Sequence, residues 1–273
     1  MMEMVSLSDV LALERVKEQS FTAAFRVDWS QGRAVFGGLV TAAAIKAMRA
    51  VVEPERSPRT VLVNFAGPVL PEEEVTIEVE VLRSGKSLTT AMAKLVQGDS
   101  VRTTVQAAFA QDRPSAARVE AVRLGDVPAP DELSSLPFVE GMTPTFIKHV
   151  DWRWTSTNFP GMGGDEAKLS GWCRFRGEEE PIGLLNPIAL MDAWPSPILS
   201  VLSGRAFSSS ITWMLNIVED PGDVADDPEA WWYYQAHVSA ARAGYAESDA
   251  QLFSSDGRLI ATGRQLVAEF SAK

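Results

Sequence analysis

The chain has 273 residues, 46% of them hydrophobic, with 36 acidic against 25 basic side chains and a net charge of -11. That length suits one large domain or two of about 130 residues, and no apolar run approaches the roughly 20 residues of a bilayer span. The acidic balance excludes the basic face that a nucleic-acid backbone requires, but not an anionic small ligand held by local arginines or a helix N-terminus.

The N-terminal stretch MMEMVSLSDVLALERVKEQS lacks the basic, apolar and small-residue segments of a secretory signal. With Cys173 as the single cysteine, an intrachain disulfide is impossible. A reducing compartment, the cytoplasm, is therefore expected.

Taken in chain order, the first informative stretch is QGRAVFGGL, Gln31 to Leu39, which sets two glycines at the mouth of an apolar, alanine-rich run reaching Val52. Free of proline and apolar almost all round, Phe36 to Val52 is expected to form a helix buried on the concave side of a sheet. Glu53-Pro54 should end it. From Thr60 the pattern turns to strands: TVLVNFAGPVL, EEVTIEVEVLRSG, SLTTAMAKLVQGD and SVRTTVQAAFA. Val75, Ile77, Val79 and Val81 alternate with Thr76, Glu78 and Glu80, as in a sheet with one covered face. Short turn-forming groups between the runs predict an antiparallel meander.

Between Gln111 and Pro137 the sequence becomes charged and proline-bearing, which reads as a linker. The order then repeats, with strand candidates FIKHVDWRW and KLSGWCRFR, an apolar stretch IGLLNPIALMDAW, and strands SSSITWMLNIV, AWWYYQAHVSAAR, YAESDAQLFS and GRLIATGRQLVAEF. Gln106 lies eight residues after Gly98, and Gln265 eight after Gly257, a spacing that supports duplication. The expectation is an α+β fold of two units, residues 1–112 and 141–273 joined by a linker at 113–140. Each sheet wraps its own helix, and the two sheets join edge to edge.

Several motifs fail. Arg83 to Ser87, RSGKS, lacks the P-loop glycine, since Glu80 occupies its position, and it joins two strands where a P-loop opens a helix. No G-x-S-x-G nucleophile elbow occurs. The two histidines, His149 and His237, have no second ligand at metal-binding spacing, so no metal site is expected, and acid–base chemistry falls to a carboxylate.

Three polar residues interrupt regular segments. Asp192 ends an almost uncharged run from Pro181 to Pro197, either as an N-cap for a segment after Pro195 or as a buried functional carboxylate. Gln265 shares a strand face with Leu259, Ala261, Gly263 and Val267, which is either covered or wet. Strict alternation puts Ser210 with Ser208 and Thr212, opposite Trp213 and Leu215, on a face that is ordinarily wet.

The ordered set of Trp29, QGRAVFGGLVTAAAIKAM, VNFAGPVLPEEEVTIEVEVLRSGKS, DAWPSP and DGRLIATGRQ resembles the acyl-CoA thioesterase II (TesB-like) family, from about Phe21 to Phe270. The resemblance implies two hotdog units in one chain, a double hotdog, and hydrolysis of acyl-CoA thioesters without a cofactor. It further implies that Asp192, Ser210 and Gln265 hold and activate water, with Ser208, Ser209 and Thr212 as near alternatives to Ser210. Double-hotdog units of the family pair further, so a homo-oligomer is implied.

Two departures bear on substrate preference: Leu39 follows the glycine pair where glutamine is common, and Thr212 stands where an acidic residue is common. Gly37 and Gly38 belong to the unit that does not carry Asp192, and are expected to line a substrate tunnel and not the catalytic centre. Arg83 and Lys86 are candidates for the phosphates of CoA, and Trp194, Trp213 and Phe65 for the walls that set chain length. A hydratase of related fold is rejected, because Leu184 and Ala189 stand where its aspartate and histidine belong. A non-catalytic acyl-CoA-binding protein is the remaining alternative.

Overall fold

The computed structural model describes residues 5–220 and 227–271. A four-residue helix α1 (Leu7–Val10) and strands β1 (Glu14–Lys17) and β2 (Ser20–Ala24) come first. They are too short for hydrophobic periodicity to announce them in the sequence. Strands β3 (Ser30–Gln31) and β4 (Ala34–Val35) form a minimal hairpin that runs straight into helix α2 (Gly37–Arg49). Four long strands come next, as expected: β5 (Ser57–Phe65), β6 (Glu74–Ser84), β7 (Leu88–Gln97) and β8 (Ser100–Ala110).

The second half contains β9 (Val150–Trp154), β10 (Lys168–Phe175), the short helix α3 (Leu185–Leu190), β11 (Ser208–Ile217), β12 (Trp232–Arg242), β13 (Tyr245–Ser254) and β14 (Leu259–Glu269). No helix among the described residues is long and apolar enough to cross a membrane.

All strands except the β3–β4 hairpin form one twelve-stranded sheet, ordered β1-β2-β6-β7-β8-β5-β11-β14-β13-β12-β10-β9. The first-half strands occupy one side and the second-half strands the other, meeting at the antiparallel pair β5–β11. Val61 faces Leu215 across that pair and Val63 faces Trp213, all four buried. Joining there pairs two edges that would otherwise be exposed. Helix α2 packs on β6, β7 and β8 and also against α3. Its burial is nearly complete, with Leu39, Ala42, Ala43, Ala44, Ile45, Ala47 and Met48 at 0% exposure. The architecture is a tandem hotdog.

Register shows how the halves correspond. β8 pairs with β7 through Val96–Val101 and then Leu95–Thr103, which makes Arg102 an extra, bulged residue. β14 pairs with β13 through Phe253–Leu259 and then Leu252–Ala261, bulging at Ile260. Aligning the two bulges equates Ala107, not Gln106, with Gln265. The β13–β14 turn is one residue longer than the β7–β8 turn, so the equal glycine-to-glutamine spacing is a coincidence. Gln106 in fact faces solvent. A second bulge pair, at Arg59 in β5 and Ile211 in β11, equates Pro58 with Ser210.

The segment from Gln111 to Pro137 is mostly exposed, yet Leu124, Val127 and Leu133 pack on Trp172, Tyr233, Phe253 and Leu259. Trp172 Nε1 also donates to the Pro128 carbonyl at 2.9 Å. This stretch covers an apolar patch formed by β10, β12, β13 and β14.

Candidate active site

A cavity of about 430 Å³ opens where the halves meet, with Val35, Gly37 and Phe65 on the first-half wall and Asp192, Ser210 and Gln265 on the second. Three separate elements bring the last three together. Asp192 lies two residues past α3, in a tightened turn where its N–H donates to the Ala189 carbonyl at 3.2 Å. Gln265 comes from β14 on the covered face, and Ser210 from the start of β11.

The β11 bulge aims Ser210. Ser210 pairs with Val267 and Thr212 with Leu266, so the alternation expected from the sequence breaks at Ile211. Ser210 thus turns to the inner face with Gln265, and Thr212 to the other face; bulges re-aim side chains in this way. The wet face expected for Ser210 is corrected by this shift. Ser208 and Ser209 also line the cavity, whereas Thr212 does not.

One amide ties the three residues. Gln265 Nε2 donates to Asp192 Oδ1 at 3.1 Å and to Ser210 Oγ at 2.8 Å. A primary amide has two N–H donors, so both bonds can stand at once. Because the serine oxygen accepts here, its own proton remains free to donate into the cavity.

The Asp192 carboxyl is raised from 3.8 to about 7, mainly because burial disfavours its charge, while hydrogen bonds from Gln265 and from the Gly38 N–H pull it partly back. Those bonds also show that Asp192 does not cap the turn after Pro195. The cap position of that turn is Ser196, and it makes no side-chain capping bond.

Gly38 belongs to the first half, yet its N–H donates to Asp192, so the glycine pair is not remote from that carboxylate as expected, while Gly37 does line the cavity wall. Helix α2 delivers its N-terminus onto the carboxylate that lies just beyond α3. A Cβ at Gly37 would lie 2.6 Å from Asp192 Oδ2 and 3.1 Å from the Phe65 ring; one at Gly38 would collide with the Ala189 carbonyl. Only glycine permits this approach. The positive end of α2 therefore faces the carboxylate, with the Gly38 N–H bonded to it.

Arg83 and Lys86 are not near this cavity. They sit at the β6–β7 turn, and Arg56 donates to the Gly85 carbonyl of that turn. The register runs from there through Leu88–Ala110 to Ser57–Ala110, the end of β5 opposite Phe65. Helix α2 spans the same interval, about 20 Å for its thirteen residues. Loop position was legible in the sequence, but which end of the sheet the loop occupied was not.

Of the wall candidates, Phe65 and Trp194 line the cavity and Trp213 does not. Trp194 is held by a bond from its Nε1 to Cys173 Sγ at 3.3 Å and by stacking on Tyr234 at 5.3 Å. Burial and the nearby negative Asp192 push the Tyr234 phenol up, and burial pushes the Cys173 thiol up to about 12. Leu39 is fully buried away from the cavity, where Val40 contributes instead, so Leu39 does not alter the wall.

Arg33, Thr103 and Ser196 line the site but were not singled out in the sequence. For Arg33 a signal existed in the two-residue Gly32-Arg33 link of a hairpin. His149 is buried, stacked on Trp29 at 4.3 Å with Nε2 3.4 Å from Asp28 Oδ2, and His237 is exposed on β12.

A carboxyl near neutrality, an orienting amide, a hydroxyl proton and a helix N-terminus can together activate water and receive developing negative charge. Comparison with known proteins gives this geometry a family. A search of curated proteins returned no match. Among solved structures, a hot-dog-fold protein of Alicyclobacillus acidocaldarius superposes with a TM-score of 0.85 at 24% identity, covering 99% of this chain and 100% of that one. The tesB protein of Mycobacterium avium subspecies paratuberculosis gives 0.80 at 18% identity, covering 97% and 98%. The acyl-CoA thioesterase II TesB2 of Mycobacterium marinum gives 0.78 at 17%, covering 98% and 99%. The acyl-CoA thioesterase N-terminal domain matches residues 25–110 and the C-terminal domain residues 130–268. The chain therefore belongs to the acyl-CoA thioesterase family.

Proposed function

We propose that this thioesterase hydrolyses acyl-CoA with Asp192 as general base. Water held by Asp192 and Ser210 attacks the thioester carbonyl carbon as its proton passes to the carboxylate. The tetrahedral intermediate then collapses with cleavage of the C–S bond. The proton on Asp192 goes to the departing thiolate, leaving free acid and CoA. Gln265 fixes Asp192 and Ser210 relative to each other, and the start of α2, whose Gly38 N–H already holds Asp192, offers its remaining N–H groups and positive end to the oxyanion.

The observation that carries this reading is the buried Asp192 carboxyl bonded by the Gly38 N–H and by Gln265, whose amide also bonds Ser210, with burial raising its pKa to about 7. A base titrating near the working pH combines availability with driving force. We further propose that the enzyme acts on thioesters of fatty-acid metabolism as a homo-oligomer in a reducing cytoplasm, a setting that the single cysteine supports.

The test is thiol release from a panel of acyl-CoAs of increasing chain length. Wild type should release thiol. Asp192→Asn should lose about 10² to 10⁴ of the rate while still binding the substrate, the range for a positioned general base. Binding without release at every chain length would leave a non-catalytic acyl-CoA-binding protein.

A further inference from the structure

We infer that Arg33 at the mouth of this cavity and Arg102, which packs beside the lining residue Gly67, hold the phosphates of the CoA moiety, a role for which Arg83 and Lys86 lie at the opposite end of β5. The assignment rests on the thioesterase reading.

Arg33 and Asp192 are the two charged side chains that line the cavity. Arg33 is exposed and Asp192 largely covered, so the cavity is polarised, with the carboxylate inside and the guanidinium outside. Arg33 sits at the tip of the β3–β4 hairpin, in the two-residue turn beyond the Gln31–Ala34 pair. Gly32 has φ +65° and Arg33 does not share the positive sign, which is the pattern of a II′ turn. Such a turn fixes where Arg33 projects.

The Val35 N–H donates to the Val69 carbonyl at 2.8 Å, which ties the hairpin to the loop after β5. In that loop the Gly67 N–H donates to the Arg102 carbonyl at 2.8 Å. Arg102 Cδ and Nη1 lie 3.7 Å from where a Cβ of Gly67 would stand, and Gly67 itself lines the cavity. Arg102 is the bulged residue of β8, so its side chain departs from strand alternation.

Neither guanidinium has a hydrogen bond or ion pair among the described residues, and the buried Arg102 Nε has no acceptor. On a chain with 36 acidic residues, carboxylates to neutralise them are abundant elsewhere. Arg59, Arg153, Arg176, Arg258 and Arg264 all have such partners. A net charge of -11 repels a polyanionic substrate at long range, so binding requires local cations at the mouth. Guanidinium groups match phosphate oxygens bidentately.

Chain geometry fits this division of the cavity. Gly37, which beside Asp192 starts α2, lies four positions after Arg33, so their Cα atoms are at most about 14 Å apart. The thioester end would lie at Asp192 and the nucleotide end at Arg33.

The experiment compares an acyl-CoA with the matching S-acyl-N-acetylcysteamine, which has no phosphate, in wild type, Arg33→Gln, Arg102→Gln and Arg33→Lys. Each Gln variant should raise KM for acyl-CoA about tenfold more than KM for the truncated thioester, with kcat moving far less than KM. Raising the salt concentration should weaken acyl-CoA binding by wild type more than by the variants. Arg33→Lys should recover part of the loss. Equal KM changes for both substrates, or none for acyl-CoA, would overturn the assignment.

A selective KM rise with S-succinyl-N-acetylcysteamine, but not with the butyryl compound, would instead show that Arg33 holds an acyl carboxylate, and would also overturn it. Calorimetric binding of free CoA reads the same variants without turnover. If wild type released no thiol, binding still weakened about tenfold in Arg33→Gln would sustain the phosphate site while the hydrolase reading failed; unchanged binding would sink the site itself.

Discussion

As the proposed general base, Asp192 would couple reactivity to stability through one proton. Its carboxyl titrates near 7 in the folded chain and near 3.8 when exposed, so the folded state binds that proton more tightly. The resulting penalty is absent below about 3.8, grows between 3.8 and 7, and is complete above that. Its upper bound is about 4 kcal/mol, reduced because Asp192 keeps some contact with solvent. Wild-type Tm should therefore fall relative to Asp192→Asn as pH rises from 4 to 8, a trend that thermal melts of both proteins would measure. Activity should run the other way, with kcat/KM rising through an apparent pKa near 7. Replacing Gln265 with leucine removes a donor that favours the carboxylate, so that midpoint should move upward while kcat falls about 10- to 100-fold, both readable from one pH–rate series. The sequence exposed Asp192 because a carboxylate stands out in an uncharged run. It hid the direction of Ser210, because a bulge at Ile211 leaves no mark in the alternation of SSSITWMLNIV.

At the scale of elements, the meeting of α2 with the end of α3 makes the site, and two glycines make the meeting. Gly38→Ala would drive a methyl group against the Ala189 carbonyl and the Phe36 ring. The expected cost is about 1–3 kcal/mol, visible as a lowered Tm. Gly37→Ala meets the Asp192 carboxylate itself, so its thiol-release rate should drop by more than its Tm suggests. Measuring both quantities on both variants separates packing from chemistry. Helix α2 and strands β5 to β8 were legible because burial writes itself as composition and period. The contact between α2 and α3 was not, since nothing local to either segment states which ends of two helices converge.

For the whole molecule, the halves repeat in fold but not in chemistry. Pro58 and Ala107 stand where the second half has Ser210 and Gln265, and neither side chain carries a donor or acceptor. One half thus supplies carboxylate, amide and hydroxyl, while the other supplies a helix N-terminus and the hairpin carrying Arg33. Repetition could be read from the order of strands, but the loss of one set of polar groups needed the register. Leu215, fully buried opposite Val61 at the junction, is the side chain through which this division can be probed. Leu215→Ala should cost about 2–5 kcal/mol, and its thiol release should fail at a lower temperature than wild type, in step with its melt. The β5–β11 seam consequently works as an alignment gauge. A slip of one residue there, about 3.4 Å, would carry Gln265 and Ser210 out of step with the start of α2, so turnover reports whether two halves of one chain have docked in register.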